Sequence, residues 1–360
     1  MRQRPRVNAT GVALIVAPLI AASAFGQDVS PPAAPGTPPG VQGLPGGRGA
    51  PAPPPVPAAL ERAAQVLAES HKAMGGDKLA AITTVLATGR TRRVRGDNLV
   101  PIEFEIAIEL PDKYVRKDEV PAEESDPTST GFVGSEIIQF PAPAGRGGLP
   151  PGIGGRPGGP APAAPSTAQL EAQRTARLTA AKQDFARLAL GIFARSLAAY
   201  PMTFAYAAQA QAPQGTADVL EVRGGGGFSV RLFIATDSRL PIMLSWQAPP
   251  TGVVVTTPGQ PPPRTVAPGA VIVAAPPPPA PTASAEEKAA YTTQVAAMRQ
   301  KAQATPVEYR LYYADYRDVD GVRLPFRVRR AIGVDTTEET TFDRFRLNTR
   351  IDPRKFTPGK

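Results

Sequence analysis

Nine consecutive residues leave this chain little choice of fold. Ile102, Phe104, Ile106, Ile108 and Leu110 alternate with Glu103, Glu105, Ala107 and Glu109. Successive side chains of a strand point to opposite faces, so one face here is apolar and the other charged. That pattern suits an antiparallel sheet wetted on one side only. Period-two runs place further strands over 82–95, 113–120, near 131–140, and over 202–210, 217–223, 228–235 and 241–247. Three more cover 306–316, 322–332 and 337–347. Arg95-Gly96-Asp97-Asn98, Pro111-Asp112 and Asp318–Gly321 supply turn chemistry between them. Helical spacing marks 58–75, 167–198 and 284–303. Strands and helices do not alternate as they would in a parallel doubly wound sheet. The expected fold is α+β and mainly antiparallel β: about ten strands in a large sheet, curled because a flat open sheet of that size is strained. Its concave apolar face wraps around helices.

Proline sets the limits of the foldable part. Of the 44 prolines, 31 fall in 31–57, 141–165 and 249–281. Outside these stretches and the N-terminus about 245 residues remain, enough for one sizeable core. The Pro/Gly/Ala-rich stretch 27–57 reads as a disordered linker, and 141–166 and 249–283 as low-complexity, disordered inserts within one domain spanning 58–360. Residues 284–303 then read as a surface helix.

The first 26 residues have the form of a cleaved signal peptide. Arg2, Arg4 and Arg6 precede the apolar run 11–22, and Ala22-Ser23-Ala24 offers small residues for cleavage. The run is short of the roughly 20 residues a membrane span needs. The expected location is therefore the bacterial periplasm. The chain has no cysteine, so stability in an oxidising compartment rests on the apolar core, and thiol-based metal or redox chemistry is excluded. Its formal net charge is +9. The arginines are spread over strands rather than gathered on one helix, which argues against nucleic acid and for a solvated surface or anionic lipid headgroups.

The sequence carries no pattern of a catalytic or metal site. Gly224-Gly225-Gly226-Gly227 is followed by a strand, whereas a phosphate loop needs a helix N-terminus. His71, the single histidine, reads as a surface residue of the first helix. Glu103 with Glu105, and Asp315 with Asp318, read as the wet side of the sheet. No cofactor, metal or enzymatic step is expected. The distinctive feature is the apolar face. Phe104, Ile106, Ile108, Leu232, Ile234, Leu244, Trp246, Leu324 and Phe326 are its candidate ligand-binding residues. Arg90, Arg92, Arg327 and Arg329, at crowded strand ends, are candidates for an anionic headgroup. The same pattern also fits an ordinary core filled by helices.

Four segments resemble a known family. Residues 73–89, AMGGDKLAAITTVLATG, look like the helix–turn–strand opening of the LolA/LolB-like outer-membrane lipoprotein-sorting proteins. ATDSRLPIMLSW at 235–246, YYADYRDVDGVRLPFRVRR at 312–330 and TTFDRFRLNTRIDPRKF at 340–356 resemble the same group. The resemblance implies an unclosed antiparallel β-barrel with helices as a lid over an apolar cavity. It implies partners that are lipids or lipoprotein acyl chains, with transient membrane contact and an envelope protein partner. The Pro-rich inserts are departures from the minimal carrier. The expected function is a non-catalytic periplasmic lipid or lipoprotein carrier. The alternative is an envelope structural or interaction module with a filled core and Pro-rich partner-binding arms.

Overall fold

The computed structural model describes residues 56–95, 98–121, 126–141, 166–212, 215–258 and 266–357. The expected signal peptide, almost all of the 27–57 linker and most of the 141–166 insert lie outside the described residues.

Helix α1 (Pro57–Met74) and the single turn α2 (Asp77–Ala80) lead into β1 (Thr84–Arg95), β2 (Asn98–Glu109), β3 (Lys113–Glu119), β4 (Thr128–Val133) and β5 (Glu136–Phe140). Helix α3 (Thr167–Phe193) follows, then β6 (Met202–Ala212), β7 (Gly215–Gly224), β8 (Phe228–Ala235) and β9 (Pro241–Ala248). A short pair, β10 (Gly252–Thr256) and β11 (Ala270–Ala274), precedes helix α4 (Ala285–Ala304). Strands β12 (Val307–Val319), β13 (Val322–Ile332) and β14 (Asp335–Leu347) and a 3-10 turn at Pro353–Phe356 complete the order.

Twelve strands form one antiparallel, unclosed sheet in the order β5-β4-β3-β2-β1-β14-β13-β12-β9-β8-β7-β6. The sequence pattern near 131–140 predicts one strand. The chain makes two there, because Gly134 takes φ +58° and turns β4 back into β5. The long helix stops at Phe193 rather than 198, where Ala194 adopts the left-handed conformation.

The expected disorder of 249–283 is corrected in part. Its described residues pair β10 with β11 in parallel, and Val253 and Ala275 are buried. The Tyr309 hydroxyl donates to Pro249 O at 2.8 Å, which fastens the insert to the main sheet. A run of β-branched residues, Val253-Val254-Val255 and Val271-Ile272-Val273, has enough strand preference to form a ribbon between prolines. Helix α4 packs against this ribbon, is started by a Ser284–Glu287 capping box and buries no side chain.

Each helix that covers the sheet does so with one stripe. In α1 the buried residues are Ala63, Val66, Ser70 and Met74, at three- and four-residue steps. Gly75 ends that helix at φ +136°, and a Cβ there would meet Gly321 O at 2.9 Å, so the helix end rests directly on the β12–β13 turn. In α3 the stripe begins at Ala181, and the first three turns stand in solvent.

Alternation assigns the two faces. Even-numbered residues of β2 point inward, and Ala107 sits outward in the row of glutamates. Its break in the charged pattern has a cause: Ala107, Val115, Ile138, Ile351 and Phe356 form a small separate cluster where the C-terminal turn covers the outer face.

Candidate functional site

The inner face is one continuous apolar surface. All nine apolar candidates are buried in a single cluster: Phe104, Ile106 and Ile108 from β2, Leu232 and Ile234 from β8, Leu244 and Trp246 from β9, Leu324 and Phe326 from β13. Neighbouring strands set them in register, with Leu232 opposite Leu244, and Leu244 opposite Leu311 of β12. Phe104 meets Phe342 edge-on at 5.3 Å, and Trp246 stacks on Tyr309 at 5.6 Å.

Helix α3 lies over this surface, from β4 and β5 near one sheet edge to β9 and β13. Phe185 joins Tyr114 and Phe132 in an aromatic cluster with ring centroids 5.0 and 5.5 Å away. Two tyrosines of β12 hold the helix from below. The Tyr313 hydroxyl donates to Arg187 O, and the Tyr316 hydroxyl donates to Gly191 O at 3.0 Å. Burial pushes the Tyr114, Tyr313 and Tyr316 phenols above their ordinary value, so they stay protonated. At Gly191 the backbone of α3 rests on the Tyr313 ring itself. Helix α1 is tied at the other side: the buried Asp218 carboxylate lies 3.3 Å from Arg239 and 3.8 Å from Arg62, and Arg239 also reaches Glu69 at 3.2 Å.

At the polar end of the inner face, crowding in the sequence reaches Arg93 and Arg330, which adjoin Arg92 and Arg329, but does not single out Arg116, Asp118 or Glu338. Arg93 of β1, Arg116 and Asp118 of β3, Arg330 of β13 and Glu338 of β14 share inner-face parity with the apolar rows. Arg116 donates to Asp118 at 2.6 Å and to Thr91 Oγ1 at 3.0 Å, and Thr91 and Thr340 share a hydrogen bond of 2.9 Å. The Arg116 guanidinium also sits 4.7 Å from the Phe104 ring centroid. Arg93 donates to Glu338 at 2.9 Å. Burial would raise the Glu338 carboxyl, but the charges of Arg116, Arg93 and Arg330 outweigh it and hold the group below its ordinary value. The signal for these residues was parity: Arg330 follows Val322, Leu324, Phe326 and Val328 in the same row.

The four arginines expected to face a headgroup lie on the opposite side of the sheet. Arg90, Arg92, Arg327 and Arg329 are exposed on the outer face. Arg90 pairs with Asp343 at 3.3 Å, Arg327 with Glu339 at 3.2 Å, and Arg329 lies over the Tyr312 ring. Alternation is the reason: on β1 the apolar positions are odd-numbered, and on β13 they are even-numbered.

Two grooves lie away from the inner face. One of about 730 Å³ runs between α4 and β10, along Val255, Val295, Arg299 and Gln303. One of about 450 Å³ crosses the outer face past Arg90, Glu103, Glu105, Lys117 and Asp343. No described helix is long and apolar enough to cross a membrane.

No protein-family model matches the chain, and no curated protein matches it. Among solved structures it is similar to a LolA superfamily protein from Nitrosomonas europaea, at 13% identity over 82% of this chain and 97% of that one, with a TM-score of 0.39. An outer membrane lipoprotein-sorting protein domain from Vibrio parahaemolyticus is similar at 7% identity over 82% and 97%, with a TM-score of 0.38. A DUF1329 family protein from Desulfovibrio piger is similar at 7% identity over 83% and 97%, with a TM-score of 0.36.

Proposed function

We propose that the chain is a periplasmic carrier that holds lipid or lipoprotein acyl chains against the inner face of its sheet and has no catalytic step. One observation carries this reading. The inner face presents apolar side chains from nearly every strand of an unclosed sheet, and its cover is a helix, α3, whose first three turns are solvent-exposed and bury nothing, with an exposed Arg174–Glu136 ion pair to β5. A cover clamped at one end by Tyr313 and Tyr316 and held at the other by a solvent-exposed ion pair is suited to lift. Acyl chains entering beneath it would gain about 0.8 kcal/mol per buried CH₂. The sequence resemblance of residues 73–89, 235–246, 312–330 and 340–356 to lipoprotein-sorting proteins supports the same activity, and the leader-like first 26 residues support the location.

A second reading, an envelope interaction module with a solid core, is favoured by the packing of Phe185, Leu190, Ile192 and Phe193 into the same surface. The deciding experiment is native mass spectrometry and lipid extraction of the mature chain purified from its host, with displacement of a fluorescent fatty acid alongside. Co-purified acyl lipid and saturable displacement are expected. A clean apo mass with no probe binding would reject the carrier and leave the module.

A further inference from the structure

Arg187 is a cation that α3 carries deep into the apolar cover. Its side chain is 14% exposed. The guanidinium sits 4.7 Å from the Trp246 ring centroid and 5.4 Å from that of Phe228. Nη1 donates to Asp184 at 2.9 Å, one turn back and itself exposed. Nε is buried and has no hydrogen-bond partner among the described residues. A buried donor left unpaired is costly, and a guanidinium more so, because its charge is also desolvated. Burial accordingly pushes the Arg187 pKa down. Asp184 opposes this, and the nearby charge of Arg330 adds to it.

Arg330 occupies the inner-face position after Val328 and is half buried. It forms no ion pair among the described residues. Glu338 lies opposite it in register, but that carboxylate is taken by Arg93. Trp246, beneath Arg187, is opposite Tyr309, and Arg330 is opposite Leu311 on the same strand, β12. Arg187, on α3 above Trp246 of β9, and Arg330, on β13, thus sit on either side of β12, whose two neighbouring strands run about 10 Å apart. Two like charges set that close on a low-dielectric surface, one with an idle N–H, are a cost to the empty protein that an anion would relieve. Guanidinium forks match the paired oxygens of carboxylate and phosphate.

We infer that Arg187 and Arg330 form the seat for the anionic headgroup, carboxylate or phosphate, of an amphiphile whose chains lie on the inner face. The seat rests on the carrier reading and assigns its ligand class: anionic lipids rather than neutral ones.

The test compares a fluorescent polyunsaturated fatty acid with its methyl ester on the mature chain, at a pH where the acid is ionised. The wild type is expected to bind the acid about tenfold tighter or more, the factor that 1.4 kcal/mol supplies. Arg187→Gln and Arg330→Gln should each erode that preference, and the double variant should abolish it, with the ester's affinity unchanged. Circular dichroism confirms folding; Arg330→Gln, at the rim, serves if Arg187→Gln fails to fold. Displacement by phosphatidic acid but not phosphatidylcholine would extend the seat to phosphate. Equal binding of acid and ester by the wild type overturns the seat alone. So does a preference that survives in both variants, or a parallel loss of both probes, which would show Arg187 acting through packing. A Trp246 emission response to inorganic phosphate by itself, without an acid preference, reassigns the pair to free anions and also overturns it. If neither probe binds the wild type, the carrier reading falls and the seat with it.

Discussion

Replacing Gly191 by alanine tests how closely α3 is held to the sheet. A Cβ at that position would lie 2.3, 2.4 and 2.7 Å from three carbons of the Tyr313 ring. The ring has little room to yield, since Tyr313 is 3% exposed and its hydroxyl is committed to Arg187 O. The helix must therefore rise or the ring must leave. Overpacking of this kind costs about 1–3 kcal/mol. Losing the two tyrosine hydrogen bonds to Arg187 O and Gly191 O adds about 1 kcal/mol each. Alanine returns about 1 kcal/mol of helix propensity. The net is a destabilisation of roughly 2–4 kcal/mol, or about 4–16 °C in Tm at ~2–4 °C per kcal/mol for a domain of this size. The assay has a built-in reporter. Trp246 is the chain's only tryptophan, is 9% exposed and lies directly beneath Arg187. Lifting α3 should shift its emission to the red, and the entry of an apolar probe should quicken. A variant with raised Tm and unchanged emission would refute the close approach at Gly191 and the clamp built on it.

Phe104→Ala should cost about 3–5 kcal/mol in urea unfolding, because it removes a buried ring held between Phe342 and Arg116. Deleting residues 250–280 should lower Tm measurably, by an amount equivalent to about 2 kcal/mol, since Val253 is buried and Gly269 rests on Ile332; an unchanged midpoint would show the ribbon to be loose. Glu338→Gln probes acid stability. The native pKa of Glu338 lies below its unfolded value of roughly 4.3, so its contribution is complete above that value and is lost as pH falls through the native pKa. The variant should be less stable at neutral pH and lose less on acidification; identical acid-unfolding profiles would remove Glu338 from the polar network.

Most strands were legible because one-sided burial imposes a strict period of two, and β2 shows it over a full strand. The 249–283 ribbon was hidden by composition: prolines dominate the stretch, and two five-residue runs between them carry the strand preference. The candidate apolar residues were found by the same alternation, and the structure gathers all nine. The arginine candidates were chosen by crowding instead. Arg90, Arg92, Arg327 and Arg329 have outward parity, whereas Arg330, the next residue after Arg329, and Arg116 share inward parity with Val328 and Tyr114. Arg187 was beyond reach of pattern. The C-terminal half of α3 is buried on most sides, so its spacing does not say which residue meets Trp246.

The strand order also has a consequence for how the molecule is completed. Strands β1 to β5 and strands β6 to β9, β12 and β13 are built from neighbours in sequence and make two separate ribbons. Among the described strands, β14 alone joins them, pairing with β1 on one side and β13 on the other, so that Val85 meets Leu347. Until that last strand arrives, each ribbon has an unpaired border in what will become the middle of the sheet, and α3 has no single surface to lie on. Residues 335–347 therefore act as a closing seam. A chain cut short before them would present two exposed strand borders, the kind that pair with other molecules, and its fate should be aggregation or proteolysis rather than a smaller working protein.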